Sequence, residues 1–122
     1  GIRTPEDFVK AMSLGADAIA VANSAIQAAG CIAARICGSN SCPSGIATQD
    51  PEMAKLVDIE KASTQVCNFF LGSANLMTVL ARACGHARLA DFSIRDICTF
   101  KKEIAEQTGC PYAGYEVEYA FH

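Results

Sequence analysis

The chain has 122 residues, of which 51% are hydrophobic and 19% are charged, and its formal net charge is -3. This apolar, weakly charged composition excludes a disordered tail and a cationic protein that binds nucleic acid by neutralising phosphates. No uninterrupted apolar run approaches the roughly 20 residues that span a bilayer, and the first residues lack the regions of a signal peptide. We therefore expect at most one domain, in the cytoplasm and without a membrane partner.

The first elements predict a piece of βαβ architecture. Thr4 and Pro5 open a helix with a hydroxyl cap and a proline at the first helical position, and Gly15 is its predicted stop. Asp17–Ala22 has the small and β-branched residues of a strand that is covered on both faces, as in a parallel sheet. A short helix is predicted for Ser24–Ala29.

One parallel strand cannot satisfy its own backbone hydrogen-bonding groups. The chain also starts at Gly1, immediately before a helix signal. We therefore expect a fragment of a longer protein, whose other strands come from further N-terminal sequence or from another chain.

The rest of the sequence predicts a long loop followed by helices. Gly30–Pro51 loses all periodicity, and loops of this length in compact domains are usually functional. Gln49-Asp50-Pro51 is predicted to end the loop and to open the next helix. A long helix is predicted from Ile59 to about Cys84, with Asp58 as the candidate cap and Gly72-Ser73 as the position of a kink, and a last helix from Ser93 to about Thr108.

Three of the seven cysteines lie close together in the loop and form the motif C-x5-C-x4-C-P. They are Cys31, Cys37 and Cys42. Thiolates are soft ligands suited to iron–sulfur clusters, and small residues between them let the backbone bend and donate N–H groups to sulfur. Three ligands rather than four suggest a three-iron cluster.

Two alternatives remain for this motif. Structural zinc normally takes four ligands with closer pairs, and no histidine lies nearby, which favours a cluster over zinc. Three free thiols in a loop are the other alternative, although free cysteines are usually buried. The helical spacing of Cys67 and Cys84 predicts buried packing residues, whereas Cys98 and Cys110 are scattered among apolar neighbours. His86, just beyond a helix end, is predicted to interact with the helix dipole.

Two short segments before helices could bind a phosphate. In a (β/α)8 barrel, the loops after strands seven and eight commonly bind phosphate through backbone N–H groups. Gly1 permits close approach, Arg3 adds a charge, and Asn23 or Ser24 can donate. Such turns are as often plain strand-to-helix connections. The six candidate residues are Gly1, Ile2, Arg3, Ala22, Asn23 and Ser24.

These motifs together resemble a known family. Gly-Ile-Arg-Thr at the start, Leu-Gly-Ala-Asp-Ala after the first helix, the cysteine motif and the stretch Gly45–Pro51 closely resemble the end of the FMN-binding synthase domain of glutamate synthase. The resemblance runs from Gly1 to about Leu56. It continues more loosely from Ile59 to about Gly114, where the chain is similar to the stand-alone and archaeal-type members.

The resemblance implies an α/β fold, the C-terminal fragment of a (β/α)8 TIM barrel, with Asp17–Ala22 as its eighth strand. Residues 1–56 would be the end of the barrel, with the iron–sulfur loop at 30–50, and residues 57–122 a C-terminal helical extension. The implied cofactors are FMN, whose phosphate would lie near the six candidate residues, and a [3Fe-4S] cluster on the three loop cysteines. The family usually has Gly-Thr-Ala where this chain has Ala22-Asn23-Ser24, so side chains replace a permissive glycine.

The activity implied by the resemblance is the reductive synthesis of L-glutamate from 2-oxoglutarate and glutamine-derived ammonia, by hydride transfer from reduced FMN. Electrons would enter through the cluster from an NAD(P)H-oxidising flavoprotein or a ferredoxin. No catalytic residue is predicted in this chain, because the loops for 2-oxoglutarate and the flavin ring belong to earlier strands. The alternatives are a non-catalytic iron–sulfur electron-transfer or metal-binding module, and a structural helical subunit with incidental thiols.

Overall fold

The computed structural model describes residues 1–113, and their regular structure is almost entirely helical. The predicted tail from Tyr112 to His122 lies mostly outside these described residues. The α-helices are α1 Pro5–Ser13, α2 Asn23–Ala28, α3 Pro51–Ala54, α4 Ile59–Ala83 and α5 Lys102–Thr108, and the 3₁₀ turns are Cys37–Ser39, Leu89–Asp91 and Ile94–Asp96.

The chain forms two compact units, each built from separate stretches of sequence. The first unit comprises residues 1–3 and 21–74, and it contains α2, the cysteine loop and α3. Among the described residues, the second unit comprises residues 4–20 and 75–113, and it contains α1 and α5. The boundary at residues 74 and 75 falls within the sequence of α4. The division of the sequence at residue 56 stays a prediction.

Helix α1 begins and ends where the sequence predicts. The backbone N–H of Thr4 donates to the Asp7 carboxylate at 3.2 Å, and Pro5 occupies the first turn. Gly15 has a φ of +96°, and its N–H bonds to the carbonyl of Met12 at 2.9 Å. The predicted start and stop of this helix are confirmed.

The predicted strand Asp17–Ala22 is wrong for this structure. The segment has no regular secondary structure, and its residues are exposed or half-buried rather than covered on both faces. In the described chain the β pairing is one isolated parallel bridge, between Thr99 and Tyr112. A parallel strand forms only against neighbours that satisfy its backbone groups, and residues 1–113 provide none for this segment. The predicted βαβ piece and eighth barrel strand are therefore not formed here, whereas the following helix α2 is.

Helix α4 matches its prediction closely. The Asp58 carboxylate accepts the backbone N–H of Lys61 at 2.9 Å and so caps the first turn. The helix is continuous through Gly72 and Ser73, and a kink at these residues stays a prediction. It ends before Gly85, whose φ of +80° is a conformation that glycine adopts without strain.

The surface of α4 is apolar on more than one side. Three residues on one stripe are buried, namely Ser73, Met77 and Ala81. Large apolar side chains on other faces are exposed, namely Ile59, Phe70, Leu71, Leu76 and Val79. By length and composition alone, with a mean hydropathy of 1.2, α4 could cross a membrane. A helix that is apolar all round is typical of the interior of a larger protein or of a membrane.

The predicted last helix is split. Instead of one helix over Ser93–Thr108, the structure has a 3₁₀ turn at Ile94–Asp96, an extended stretch, and α5 from Lys102. The stretch is extended because the backbone of Thr99 forms hydrogen bonds with residues 111 and 113 rather than within a helix. Its N–H donates to the carbonyl of Pro111 at 2.9 Å, which competes with helical hydrogen bonding.

The second unit is organised around a buried polar pair next to α1. His86 Nε2 lies 2.8 Å from Asp96 Oδ2, and both side chains are largely buried. The His86 ring also packs edge-on against Phe92, with ring centroids 5.6 Å apart. Helix α1 contacts the Ile94–Asp96 turn that carries Asp96. The pair thus anchors the turn on which α1 packs.

Acid is expected to destabilise this unit through Asp96. Burial of its carboxylate raises the pKa, but hydrogen bonds from Ser93 and His86 outweigh burial and leave the pKa below its usual 3.8. A carboxyl group whose folded pKa is depressed contributes stability above its unfolded pKa, and this contribution is lost as pH falls through the folded value. Urea unfolding of the full chain should therefore show a free energy that decreases below about pH 4. Asp96→Asn should flatten that decrease, and an unchanged slope would contradict the assignment.

Ser13 is expected to be a site where alanine stabilises the fold. Ser13 is 3% exposed at the end of α1, and its hydroxyl has no hydrogen-bond partner in the part of the chain that the structure describes. Alanine removes an unsatisfied buried group and has higher helix propensity, so Ser13→Ala should raise the unfolding free energy by about 0.5–1 kcal/mol. Ser93→Ala is the control and should lower it, because Ser93 Oγ lies 3.3 Å from Asp96 Oδ2. A loss of stability in Ser13→Ala, measured by urea unfolding, would contradict this expectation.

Candidate functional site

The cysteine loop begins with a reversal of the chain after α2. Gly30 has a φ of +110°, and the N–H of Cys31 bonds back to the carbonyl of Ile26 at 3.1 Å. Ala33 and Arg35 then adopt φ values of +57° and +59°, in the left-handed region that non-glycine residues seldom occupy. Strained backbone of this kind concentrates at functional sites.

All three motif cysteines line one cavity of about 210 Å³. Cys42 is buried, Cys31 is half-buried and Cys37 is exposed. The Cys31 sulfur accepts the backbone N–H of Ala33 at 3.4 Å, so the bend donates an amide to sulfur as the sequence predicts. The loop thus brings its three cysteine residues to one cavity.

The Cys42 thiol has a lowered pKa. Its Sγ lies 3.3 Å from the hydroxyl of Ser44. This hydrogen bond, together with the backbone of Ala47, lowers the pKa of Cys42 to about 7 against a usual value of 9.0. Because the thiolate is the form that binds metals, Cys42 is prepared for ligation near neutral pH.

The three thiols share the cavity without forming a ready metal site. Within residues 1–113, no three His, Cys, Asp or Glu side chains are arranged to hold a metal ion. The donor set still suits an iron–sulfur cluster chemically, since it consists of sulfur ligands with a backbone N–H directed at one of them. Ligation by Cys31, Cys37 and Cys42 stays a prediction.

A hydrogen-bonded clamp fixes the end of the cysteine loop, and sequence reasoning missed it. Asn40 Oδ1 accepts the backbone N–H of Gln49 at 2.6 Å, and the Thr48 hydroxyl donates to the Asn40 carbonyl at 2.8 Å. Asn40 has a φ of +62°, which asparagine tolerates better than most residues. The available signal was an asparagine between two cysteines, followed eight residues later by Thr-Gln-Asp.

Gly45 follows Cys42 by three residues and packs against α3. Its φ is +75°, and a Cβ built on it would meet the backbone carbonyl oxygen of Met53 and lie 3.1 Å from a methyl carbon of Val57. Only glycine satisfies both constraints without displacement. The next segment ends at Asp50, which caps α3 by accepting the N–H of Glu52 at 2.9 Å, as the sequence predicts.

Two of the six predicted phosphate residues lie at the cysteine cavity. Arg3 and Asn23 line it together with the three thiols. Ser24 is buried, and its hydroxyl has no hydrogen-bond partner among residues 1–113. The other three, Gly1, Ile2 and Ala22, are not among the residues that line the cavity. Flavin binding by the six residues stays a prediction.

The predicted burial of two remaining candidates is wrong. Cys67 and Cys84 are exposed rather than packed in a core, and Cys98 is exposed too, whereas Cys110 is buried. Because α4 is apolar on several sides, its spacing alone cannot identify the buried face. The His86 side chain pairs with Asp96, and the His86 backbone N–H donates to the Ala81 carbonyl at the end of α4, so its interaction with the helix dipole stays a prediction.

Comparison with known proteins identifies the family. The model of the conserved region in glutamate synthase matches residues 1–87, which include the cysteine loop and all of α4. The chain belongs to the glutamate synthase family. Membership of this family suggests part of a TIM barrel, although the described residues form none of its strands.

Relatives in this family include long enzymes of which the chain covers a small share. The glutamate synthase large subunit-like protein YerD of Bacillus subtilis is 34% identical over 100 residues, covering 82% of this chain and 19% of the relative. The ferredoxin-dependent glutamate synthase of Pyropia yezoensis is 37% identical over 94 residues, 76% of this chain and 6% of the relative.

A third relative is the archaeal glutamate synthase [NADPH] of Methanocaldococcus jannaschii, which is 38% identical over 85 residues, 70% of this chain and 17% of that protein. The chain thus spans less than a third of the length of these relatives. No solved structure matches the chain.

Proposed function

We propose that this chain is part of a larger glutamate-synthase-like oxidoreductase, which forms L-glutamate from 2-oxoglutarate and glutamine-derived ammonia in the cytoplasm. One observation carries the proposal. The three thiols of the C-x5-C-x4-C-P motif line a single cavity together with Arg3 and Asn23, within the segment matched by the family model.

In this proposal the chain contributes cofactor-binding residues rather than catalytic ones. Bound FMN would supply hydride chemistry and a bound [3Fe-4S] cluster would supply one-electron steps. Cys31, Cys37 and Cys42 would hold the cluster. Arg3 and Asn23 would lie near the FMN phosphate, where a guanidinium and an amide can donate hydrogen bonds to phosphate oxygens.

The proposed partners follow from the exposed segments and from the relatives' names. The remainder of the barrel would cover the exposed segment Asp17–Ala22 and the exposed faces of α4. The electron donor would be a ferredoxin or an NAD(P)H-oxidising flavoprotein, since one relative is named as ferredoxin-dependent and another is named with NADPH.

The test is an absorbance and EPR spectrum of the full-length protein, purified anaerobically and measured before and after reduction. Flavin bands together with an oxidised three-iron signal that disappears on reduction are expected. A reducible cluster without flavin would select the alternative of an electron-transfer or metal-binding module. A protein that holds neither iron nor flavin would exclude both, and full titration of its thiols would favour a structural subunit.

A further inference from the structure

We propose that Asn40 is a positioning residue that sets the placement of Cys37 and Cys42 for cluster binding. The inference rests on the proposed function. It adds a residue that does not bind the cluster itself but positions two of the cysteines that would bind it. Asn40 lies between the two cysteines, three residues after Cys37 and two before Cys42.

The backbone of Asn40 places the two cysteines on either side of a sharp change of direction. Asn40 follows the 3₁₀ turn Cys37–Ser39 and has a φ of +62° and a ψ of 10°. Within this turn the Ser39 hydroxyl donates to the carbonyl of Ile36 at 2.8 Å. The turn therefore fixes Cys37, and the conformation of Asn40 directs the chain toward Cys42.

The side chain of Asn40 then closes a small loop around Cys42. Its Oδ1 accepts the Gln49 N–H at 2.6 Å and lies 3.2 Å from Thr48 Oγ1, and the Thr48 hydroxyl also lies 2.8 Å from the Asn40 carbonyl. Thr48 Oγ1 in turn accepts the N–H of Asp50 at 3.1 Å. Residues 41–47, which include Cys42, are held between these two attachments.

Thr48 and Gln49, to which the Asn40 side chain is bonded, are themselves held in place, so the clamp can fix the position of Cys42. Asp50 caps α3 through the N–H of Glu52, so Thr48 and Gln49 are joined to a helix rather than to a free loop. Cys42 is 6% exposed although Ser41 and Pro43 on either side of it are exposed. Loosening the clamp should therefore expose the Cys42 thiol.

Four variants separate the effect of the Asn40 side-chain oxygen from the effect of the positive φ at this position. Asn40→Asp keeps the acceptor oxygen and tolerance of positive φ, Asn40→Gly keeps only the φ, and Asn40→Ala keeps neither. Thr48→Val removes the shared hydroxyl while leaving Asn40 intact. Ser41→Ala is the matched control, because the Ser41 hydroxyl bonds only to the carbonyl of Ser39, at 3.3 Å.

The first readout is the alkylation rate of Cys42 in cluster-free full-length protein, measured by iodoacetamide labelling and peptide mass spectrometry. Asn40→Gly and Thr48→Val should raise the rate up to about tenfold, and Asn40→Ala at least as much. Asn40→Asp and Ser41→Ala should leave it near the wild-type value. If Asn40→Gly fails to fold, Thr48→Val alone still decides the result.

The second readout is the EPR line shape and midpoint potential of the reconstituted cluster. Both should change in Asn40→Gly and Thr48→Val and return to wild-type values in Asn40→Asp. If Asn40→Gly and Thr48→Val both bind a normal cluster and show the wild-type alkylation rate, the inference is overturned and the proposed function stays intact. A wild-type protein that binds no iron would overturn the proposed function and with it the role of Asn40 toward a cluster.

Discussion

Replacing Cys42 by serine is expected to reduce the iron content of the full-length protein to roughly a tenth of the wild-type value or less. Cys42 is the buried member of the three thiols, and its pKa of about 7 favours the thiolate. Serine keeps the size of the side chain but replaces a soft thiolate by a hard hydroxyl. With three ligands there is no spare sulfur, so Cys37→Ser should have the same effect.

The matched controls for this prediction are Cys67→Ser and Cys84→Ser. Both thiols are free and exposed, and neither lines the cysteine cavity. Iron and acid-labile sulfide, measured per protein after anaerobic purification, should stay at the wild-type value in these two variants. Retention of iron in Cys42→Ser, or its loss in Cys67→Ser, would contradict the assignment of the ligands.

Gly45→Ala should be among the most destabilising single substitutions in the first unit. The positive φ alone costs about 1–2 kcal/mol for alanine. The new Cβ would also meet the backbone carbonyl oxygen of Met53, which is part of α3 and cannot move aside as a flexible side chain could. We expect a loss of about 3 kcal/mol or more in the free energy of unfolding, measured with urea.

Two other glycines separate the contributions at Gly45. Gly109 has a similar φ of +72° with open space where a Cβ would lie, so Gly109→Ala measures the cost of the backbone conformation alone. Gly38 has neither a positive φ nor a neighbour within 4 Å of that position, so Gly38→Ala should change stability little. Equal losses at positions 45 and 109 would show that the contact with Met53 is relieved at no cost.

Local signals in the sequence predicted the local parts of the fold. Helix starts were visible at Thr4, Asp50 and Asp58, because a capping side chain bonds to an N–H only two or three residues away. The cysteine spacing likewise predicted a loop that bends and directs an N–H at sulfur. These features depend on neighbours that the sequence places side by side.

Features that depend on distant groups could not be predicted in this way. The segment Asp17–Ala22 has the composition of a strand, but its conformation depends on partners that residues 1–113 do not include. The clamp joins Asn40 to residues eight and nine positions later, and the pair of His86 and Asp96 spans ten. No helical or strand period connects such positions.

The packing of α1 has a consequence for synthesis of the protein on the ribosome. Helix Pro5–Ser13 is synthesised about 80 residues before the turn Ile94–Asp96, which it contacts in the second unit. At translation rates of about 5–20 residues per second, synthesis of the turn follows that of α1 by about 4–16 s. Phe8 and Val9, which are buried in the folded chain, therefore complete their surroundings only after the C-terminal part of the second unit has been made.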